Sequence, residues 1–221
     1  MPGEERFAVE TGRGAVSAAW EAPPAFSAAV AVAHGAGSGM DHPLLVGFTD
    51  CLNEAGIATL RFNFAYMEAG RKSPDREPAA VEAWGAVFAA TQARAGGKRA
   101  FVSGKSYGGR MASMAVAEGM PADGIVFLGY PLHPPGKPER LRDAHLDRVH
   151  VPMLFLQGTD DPFARRDLLE GVVERLGRWA VLHEVEGGDH SFRVRGVRRP
   201  NEEIGRLLGS VAARFIQSAQ V

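Results

Sequence analysis

The chain of 221 residues carries a formal net charge of −1 and is 45% hydrophobic. At this length one domain, spanning 1–221, is expected, and the balanced charge provides no basic excess of the kind that draws a protein to nucleic acid or to an anionic membrane. Cys51 is the sole cysteine, which excludes an internal disulfide; it falls in an apolar helical segment and reads as a packing residue.

The first residues, MPGEERFAVETG, lack a basic start followed by an apolar run. No later segment reaches the roughly 18 consecutive apolar residues of a membrane span, so a cytoplasmic location is expected. Residues 7–10 and 15–20 alternate as paired edge strands joined by a turn. Residues 28–33, AAVAVA, are continuously apolar, which predicts a central strand covered on both faces. That run ends directly in the glycine-rich loop His34-Gly35-Ala36-Gly37-Ser38-Gly39. Such a loop after a strand can cradle phosphate, yet the dinucleotide-binding spacing is absent. His34 reads as a residue that pins the loop rather than one that carries protons.

Helical spacing over 43–54 and a stop at Gly56 precede a strand at 57–62. Residues 63–77 read as a long polar loop, with Arg71, Lys72, Asp75, Arg76 and Glu77 on a solvated surface or, alternatively, against substrate. Pro78 opens a helix to 94, Gly96-Gly97 ends it, and a strand at 100–104 runs into Gly104-Lys105-Ser106-Tyr107-Gly108-Gly109. Gly-X-Ser-X-Gly at this place marks a strand that turns sharply into a helix, where a Cβ on Gly104 or Gly108 would crowd the strained serine. The helix that follows puts Ser106 at an N-terminus that favours developing negative charge, with the Tyr107 N–H as one oxyanion donor. A phosphate-binding P-loop needs another glycine five residues before Gly104, where Arg99 stands. On this motif alone, a turn without chemistry remains the alternative.

A strand at 124–130 leads into the proline-rich loop 131–136, whose His133 either borders a site or packs. The strand at 151–157 ends in Gly158-Thr159-Asp160-Asp161-Pro162 before a helix at 163–176, and an aspartate ahead of Pro162 is suited to cap that helix. The strand at 180–186 ends in Gly187-Gly188-Asp189-His190-Ser191-Phe192, and an amphipathic helix closes the chain at 201–218. Between them Arg193, Arg195, Arg198 and Arg199 form either a solvated loop or an attractor for an anionic substrate or partner. Strands alternating with helices predict a mainly parallel, doubly wound sheet. Serine, acid and histidine, each on a loop after a strand, stand in the order of a nucleophile, an orienting carboxylate and a general base. A serine hydroxyl is a poor nucleophile until an imidazole takes its proton, and the imidazole needs a carboxylate to fix its tautomer. Ser106, Asp161 and His190 fit those roles.

With HGAGSG, GKSYGGR, GYPLHPPGKPERLR, QGTDDPF and GGDHSF in place, the chain resembles the α/β-hydrolase superfamily over nearly its full length, in particular its small lidless members related to dienelactone hydrolases. The resemblance implies helices on both faces of the sheet, no lid domain, and a site at the C-terminal ends of the strands. It implies a serine hydrolase that cleaves a carboxylic ester or related acyl bond of a small molecule through an acyl-enzyme, with no metal and no organic cofactor. It assigns the second oxyanion donor to the Ala36 N–H and favours Asp161, three residues after the strand-ending Gly158, over Asp160 as the acid. The last four motifs are also similar to a subgroup that includes a testis-expressed protein and a subunit of a nuclear histone-acetyltransferase regulatory complex, which makes a catalytically silent scaffold the alternative. Dienelactone hydrolases carry cysteine where Ser106 stands, which argues against dienelactone itself as substrate.

Overall fold

The computed structural model describes residues 3–219. Its eight strands are β1 (Glu5–Thr11), β2 (Gly14–Glu21), β3 (Ala28–Ala33), β4 (Ile57–Phe62), β5 (Arg99–Lys105), β6 (Ile125–Leu128), β7 (Met153–Gly158) and β8 (Ala180–Val185). They lie in one sheet in the order β1-β2-β4-β3-β5-β6-β7-β8. β2 pairs antiparallel with β1 and β4, and the remaining neighbours run parallel. The parallel strands therefore present their C-terminal ends along one edge, where ligands bind in open α/β sheets.

Period-2 alternation assigns each side chain of a strand to one of two cores. Ala29, Ala31 and Ala33 of β3 face one core, together with Trp84 and Phe88 from α3 (Glu77–Ala95), Met111 from α4 (Tyr107–Ala117) and Leu169 from α5 (Arg166–Leu176). Ala28, Val30 and Val32 face the other, with Leu44 and Phe48 from α1 (Pro43–Glu54) and Leu208 and Ile216 from α6 (Asn201–Ser218). Both faces are thus covered by helices, as the unbroken apolar run of β3 requires. Each fully buried aliphatic or aromatic side chain contributes about 1.5–3 kcal/mol.

α1 and α6 approach so closely that glycine is needed on both. A Cβ on Gly47 would lie 2.0 Å from the Glu202 carbonyl oxygen, and one on Gly205 2.0 Å from that of Leu44. Cys51 packs in the same seam, 2.8 Å from where a Cβ on Gly209 would be, in agreement with a packing role.

The stretch 63–77 departs from a solvated loop. It holds the one-turn helix α2 (Ala65–Glu68), and Asp75 is buried. The Asp75 carboxylate accepts from Tyr66 N at 3.0 Å and from Arg71 Nη2 at 2.6 Å, so a charge read as surface-facing instead holds the turn together. Arg71, Lys72, Arg76 and Glu77 are exposed as expected, Glu77 also pairing with Arg110 at 2.6 Å.

Gly205→Ala is expected to lower stability by on the order of 3 kcal/mol, because the helices must separate to admit the methyl group. Gly85→Ala is expected to raise it by roughly 0.5–1 kcal/mol through the unfolded state, since Gly85 sits mid-helix in α3 with nothing within 4 Å of its Cβ position. Urea denaturation of the two variants checks the pair.

Candidate active site

β5 enters the turn at Lys105, and Ser106 takes φ 49° and ψ −112° as the residue preceding α4. Positive φ costs a non-glycine residue on the order of 1–3 kcal/mol, and such backbone persists only where its surroundings enforce it. Here they do. A Cβ on Gly104 would lie 2.4 Å from Gly109 N, one on Gly108 2.5 Å from the His34 carbonyl oxygen, and one on Gly109 2.6 Å from the Gly104 carbonyl oxygen. Ser106 N donates to Leu128 O at 3.0 Å, and Arg110 N donates to Ser106 O at 3.0 Å. The hydroxyl is thereby lifted above the strand ends.

His190 Nε2 lies 2.8 Å from Ser106 Oγ, and its Nδ1 lies 2.7 Å from Asp161 Oδ2. Asp161 is 4% exposed and accepts two further bonds, from Gln157 Nε2 at 2.6 Å and from Phe163 N at 2.8 Å. Because Gln157 Oε1 also accepts from Tyr130 N at 2.7 Å, the amide is held by two fixed partners and fixes Asp161 in turn. Phe163 lies against the imidazole with ring centroids 4.2 Å apart. The loops after β7 and β8 are fastened at glycine: a Cβ on Gly158 would lie 2.1 Å from the Gly188 carbonyl oxygen, which accepts from Asp160 N at 2.9 Å. Asp160 itself is exposed.

Neither aspartate caps the helix after Pro162. α5 begins at Arg166, three residues later than expected, and its N-cap Arg165 makes no side-chain capping bond. The Asp161 carboxylate instead closes a local turn onto Phe163 N, which competes with helix formation there.

The HGAGSG loop lies beside the elbow. His34 is fully buried, with Nδ1–H donating to Gly35 O at 2.8 Å and Nε2 accepting from Phe64 N at 3.0 Å. Burial pushes its pKa down to about 4, so it is a neutral loop pin. Among the described residues the N–H groups of Ala36 and Tyr107 have no protein acceptor, and Ala36 and Ser106 line the same cavity. His133 is likewise a buried pin: Nδ1 faces Pro134 O at 2.9 Å, and Nε2 accepts from Arg165 N at 2.9 Å.

A cavity of about 310 Å³ opens over Ser106 and His190. Leu44, Leu45 and Phe163 give it apolar walls, and His42, Ser191, Arg193 and Asn201 give it polar ones. Burial first, then the charges of Arg193 and Lys105, hold the His42 imidazole below its ordinary range. Among the described residues no group of three or more His, Cys, Asp or Glu side chains is placed to hold a metal ion.

Lys105 is the residue that sequence reasoning passed over. Its stem runs past Gly35, and its Nζ is buried without a hydrogen-bond partner, 5.6 Å from the centroid of Phe192. Phe192, at φ 62°, anchors the His190 loop by burying its ring in the core. A Cβ on Gly129 would meet both Lys105 Nζ at 3.1 Å and His190 Nδ1 at 3.6 Å, so amine and imidazole both border the space left by this glycine. Gln157 carried a faint signal, as the one polar side chain in the apolar strand MLFLQG; Lys105 carried none, because a lysine beside a glycine reads as surface.

Desolvation lowers the Lys105 pKa to about 8 from 10.5, against the opposing charges of Asp161 and Asp189. The unfolded chain therefore holds a proton that the folded chain has released between those two values, so folding becomes more favourable as pH rises through that window. Lys105→Met is expected to be more stable than wild type at pH 7, by on the order of 3 kcal/mol, with the advantage shrinking between about pH 8 and 10.5. Urea titrations of both proteins at pH 7 and pH 10 check this; an unchanging difference contradicts it.

A family model described as an alpha/beta hydrolase domain matches residues 26–218. The fold is similar to that of a lidless α/β serine hydrolase from Xanthomonas campestris, at 19% identity over 100% of this chain and 97% of that one, with a TM-score of 0.78. It is similar to a dienelactone hydrolase from Anabaena variabilis at 20% identity over 99% of each chain, TM-score 0.79. It is also similar to Est1E from Butyrivibrio proteoclasticus, whose structure holds ferulic acid, at 15% identity over 96% of this chain and 100% of that one, TM-score 0.74. At these identities the likeness to solved structures is one of fold, and the lidless sheet with its helices on both faces agrees with it. The family match spans the second core, the elbow and all three loops that meet over Ser106, and the chain belongs to the α/β-hydrolase family.

Proposed function

We propose that this protein is a serine hydrolase that cleaves a carboxylic ester or related acyl bond of a small molecule. The observation that carries the reading is the unbroken chain from Asp161 through His190 to Ser106, at 2.7 and 2.8 Å. In this scheme the Ser106 hydroxyl gives its proton to His190 Nε2 as Oγ attacks the acyl carbon. The oxyanion forms against the N–H groups of Tyr107 and Ala36, which have no protein acceptor to give up. Asp161 stays ionised, holds Nδ1–H and stabilises the imidazolium. His190 then passes the proton to the leaving oxygen, which departs and leaves Ser106 acylated. Water, deprotonated by the same nitrogen, attacks the acyl carbon, and the acid is released as Oγ recovers the proton.

The compact cavity and the absence of any α-helix between β6 and β7, where only a 3₁₀ turn at Leu146–Arg148 interrupts the loop, support short or compact substrates entering an open cleft. No helix among the described residues is long and apolar enough to cross a membrane. The single eight-stranded sheet supports a one-domain enzyme, and the lone Cys51, which can form no internal disulfide, is in keeping with the cytoplasm.

The test is hydrolysis of one short activated ester by four proteins. Ser106→Ala is expected to lose about 10⁶-fold in kcat while remaining folded. Asp161→Asn is expected to lose roughly 10⁴-fold, because the imidazole is then held in the wrong tautomer. Asp160→Asn is expected to keep most of its rate, since that side chain is exposed. A large loss for Asp160→Asn beside a near-normal Asp161→Asn reverses the assignment, and faster cleavage of long-chain triglycerides than of soluble short esters contradicts the open cleft.

A further inference from the structure

We propose that the leaving group of the substrate carries an anion, a phosphate or a carboxylate, bound at the rim of the catalytic cavity by Arg193 and Arg198. The inference rests on the serine-hydrolase reading and adds to it which half of the substrate is charged.

A second, surface cavity of about 600 Å³ shares Arg193 and Asn201 with the catalytic one, so these two side chains border both. Its remaining wall is Val197, Arg198, Arg199 and Pro200. No aspartate or glutamate lines either cavity. Arg199 is paired with Glu203 at 2.9 Å, but among the described residues no carboxylate pairs with Arg193 or Arg198. Arg193 Nη2 donates to Asn201 Oδ1 at 3.3 Å, and its remaining donors stay free. Arg193 and Arg198 are thus two unpaired guanidinium groups on a wall to which no aspartate or glutamate contributes.

The loop that carries these arginines is held in place rather than loose. Asp189 Oδ1 accepts from Ser191 N at 2.7 Å and from Arg193 N at 2.9 Å, and Asp189 N donates back to Arg193 O at 3.0 Å. Arg193 is thereby fixed three residues beyond His190. Acyl transfer then decides which half of the substrate meets it. The leaving oxygen must receive its proton at His190 Nε2, and Arg193 stands three residues further on the same loop and lines the same cavity, so the half of the substrate that departs is the half placed to meet it.

Four esters test this. Three share one short acyl chain, with a phenol leaving group bearing no charge, a carboxylate or a phosphate; the fourth has a neutral phenol and a carboxylate on the acyl chain. For each, kcat/KM is compared between wild type and Arg193→Ala/Arg198→Ala, a comparison in which intrinsic ester reactivity cancels. The double variant is expected to lose about tenfold more on the charged-phenol esters than on the neutral one, chiefly through KM, with the difference fading at high salt. Arg198→Glu alone, at an exposed position, is expected to reproduce the selective loss. The phosphate and carboxylate arms rank the two anions. Equal losses on all four esters, or a selective loss on the acyl-charged ester, overturn the proposal while the serine-hydrolase reading stands. No turnover of any ester by wild type overturns both.

Discussion

The structure depends on how closely the backbone of α4 is pressed against β5 and β3. With Gly104, Gly108 and Gly109 each within 2.6 Å of backbone at their Cβ positions, the strand can reverse into the helix within one residue, and that residue is forced to positive φ. The small Ala33 is part of the same contact, since a Cβ on Gly108 would already lie 2.8 Å from its methyl. Strain at Ser106 is maintained by packing around it, and the outcome is a hydroxyl held clear of the sheet at a helix N-terminus. The partners of Ser106 can then come from loops far away in sequence.

Those loops are locked by the same device. Gly158 and Gly188 bring the ends of β7 and β8 into backbone contact, which sets Asp161 and His190 at hydrogen-bond distance across 29 residues of sequence. Three donors converge on the Asp161 carboxylate, the pattern expected of a buried charge that must stay ionised. Lys105 runs against this economy, as a buried amine with no hydrogen-bond partner directly before Ser106. A group that lowers stability at the centre of a site is where local consistency is expected to give way to function.

What could be read from the sequence was whatever leaves a periodic or steric mark. The unbroken apolar run of β3, the glycines around Ser106 and the order of Ser106, Asp161 and His190 on strand-ending loops each report a backbone constraint, and each element lies within a few residues of its expected place. Features that depend on a distant partner were not legible. Asp75 reads as a surface charge until Tyr66 N and Arg71 are seen to surround it, and α5 starts late because the Asp161 carboxylate engages Phe163 N rather than a helix end. Gln157 and Lys105 are ordinary polar letters whose roles exist only once β6, β7 and the His190 loop are side by side.

The most direct measurement of the central claim, that Ser106 is an activated nucleophile in a complete acyl-transfer site, is intact-mass analysis after exposure to a fluorophosphonate, followed by peptide mapping. One adduct per chain is expected, on Ser106, formed at a rate that collapses when His190 is replaced by alanine. A folded protein that stays unlabelled, or an adduct mapped to another residue, would contradict it.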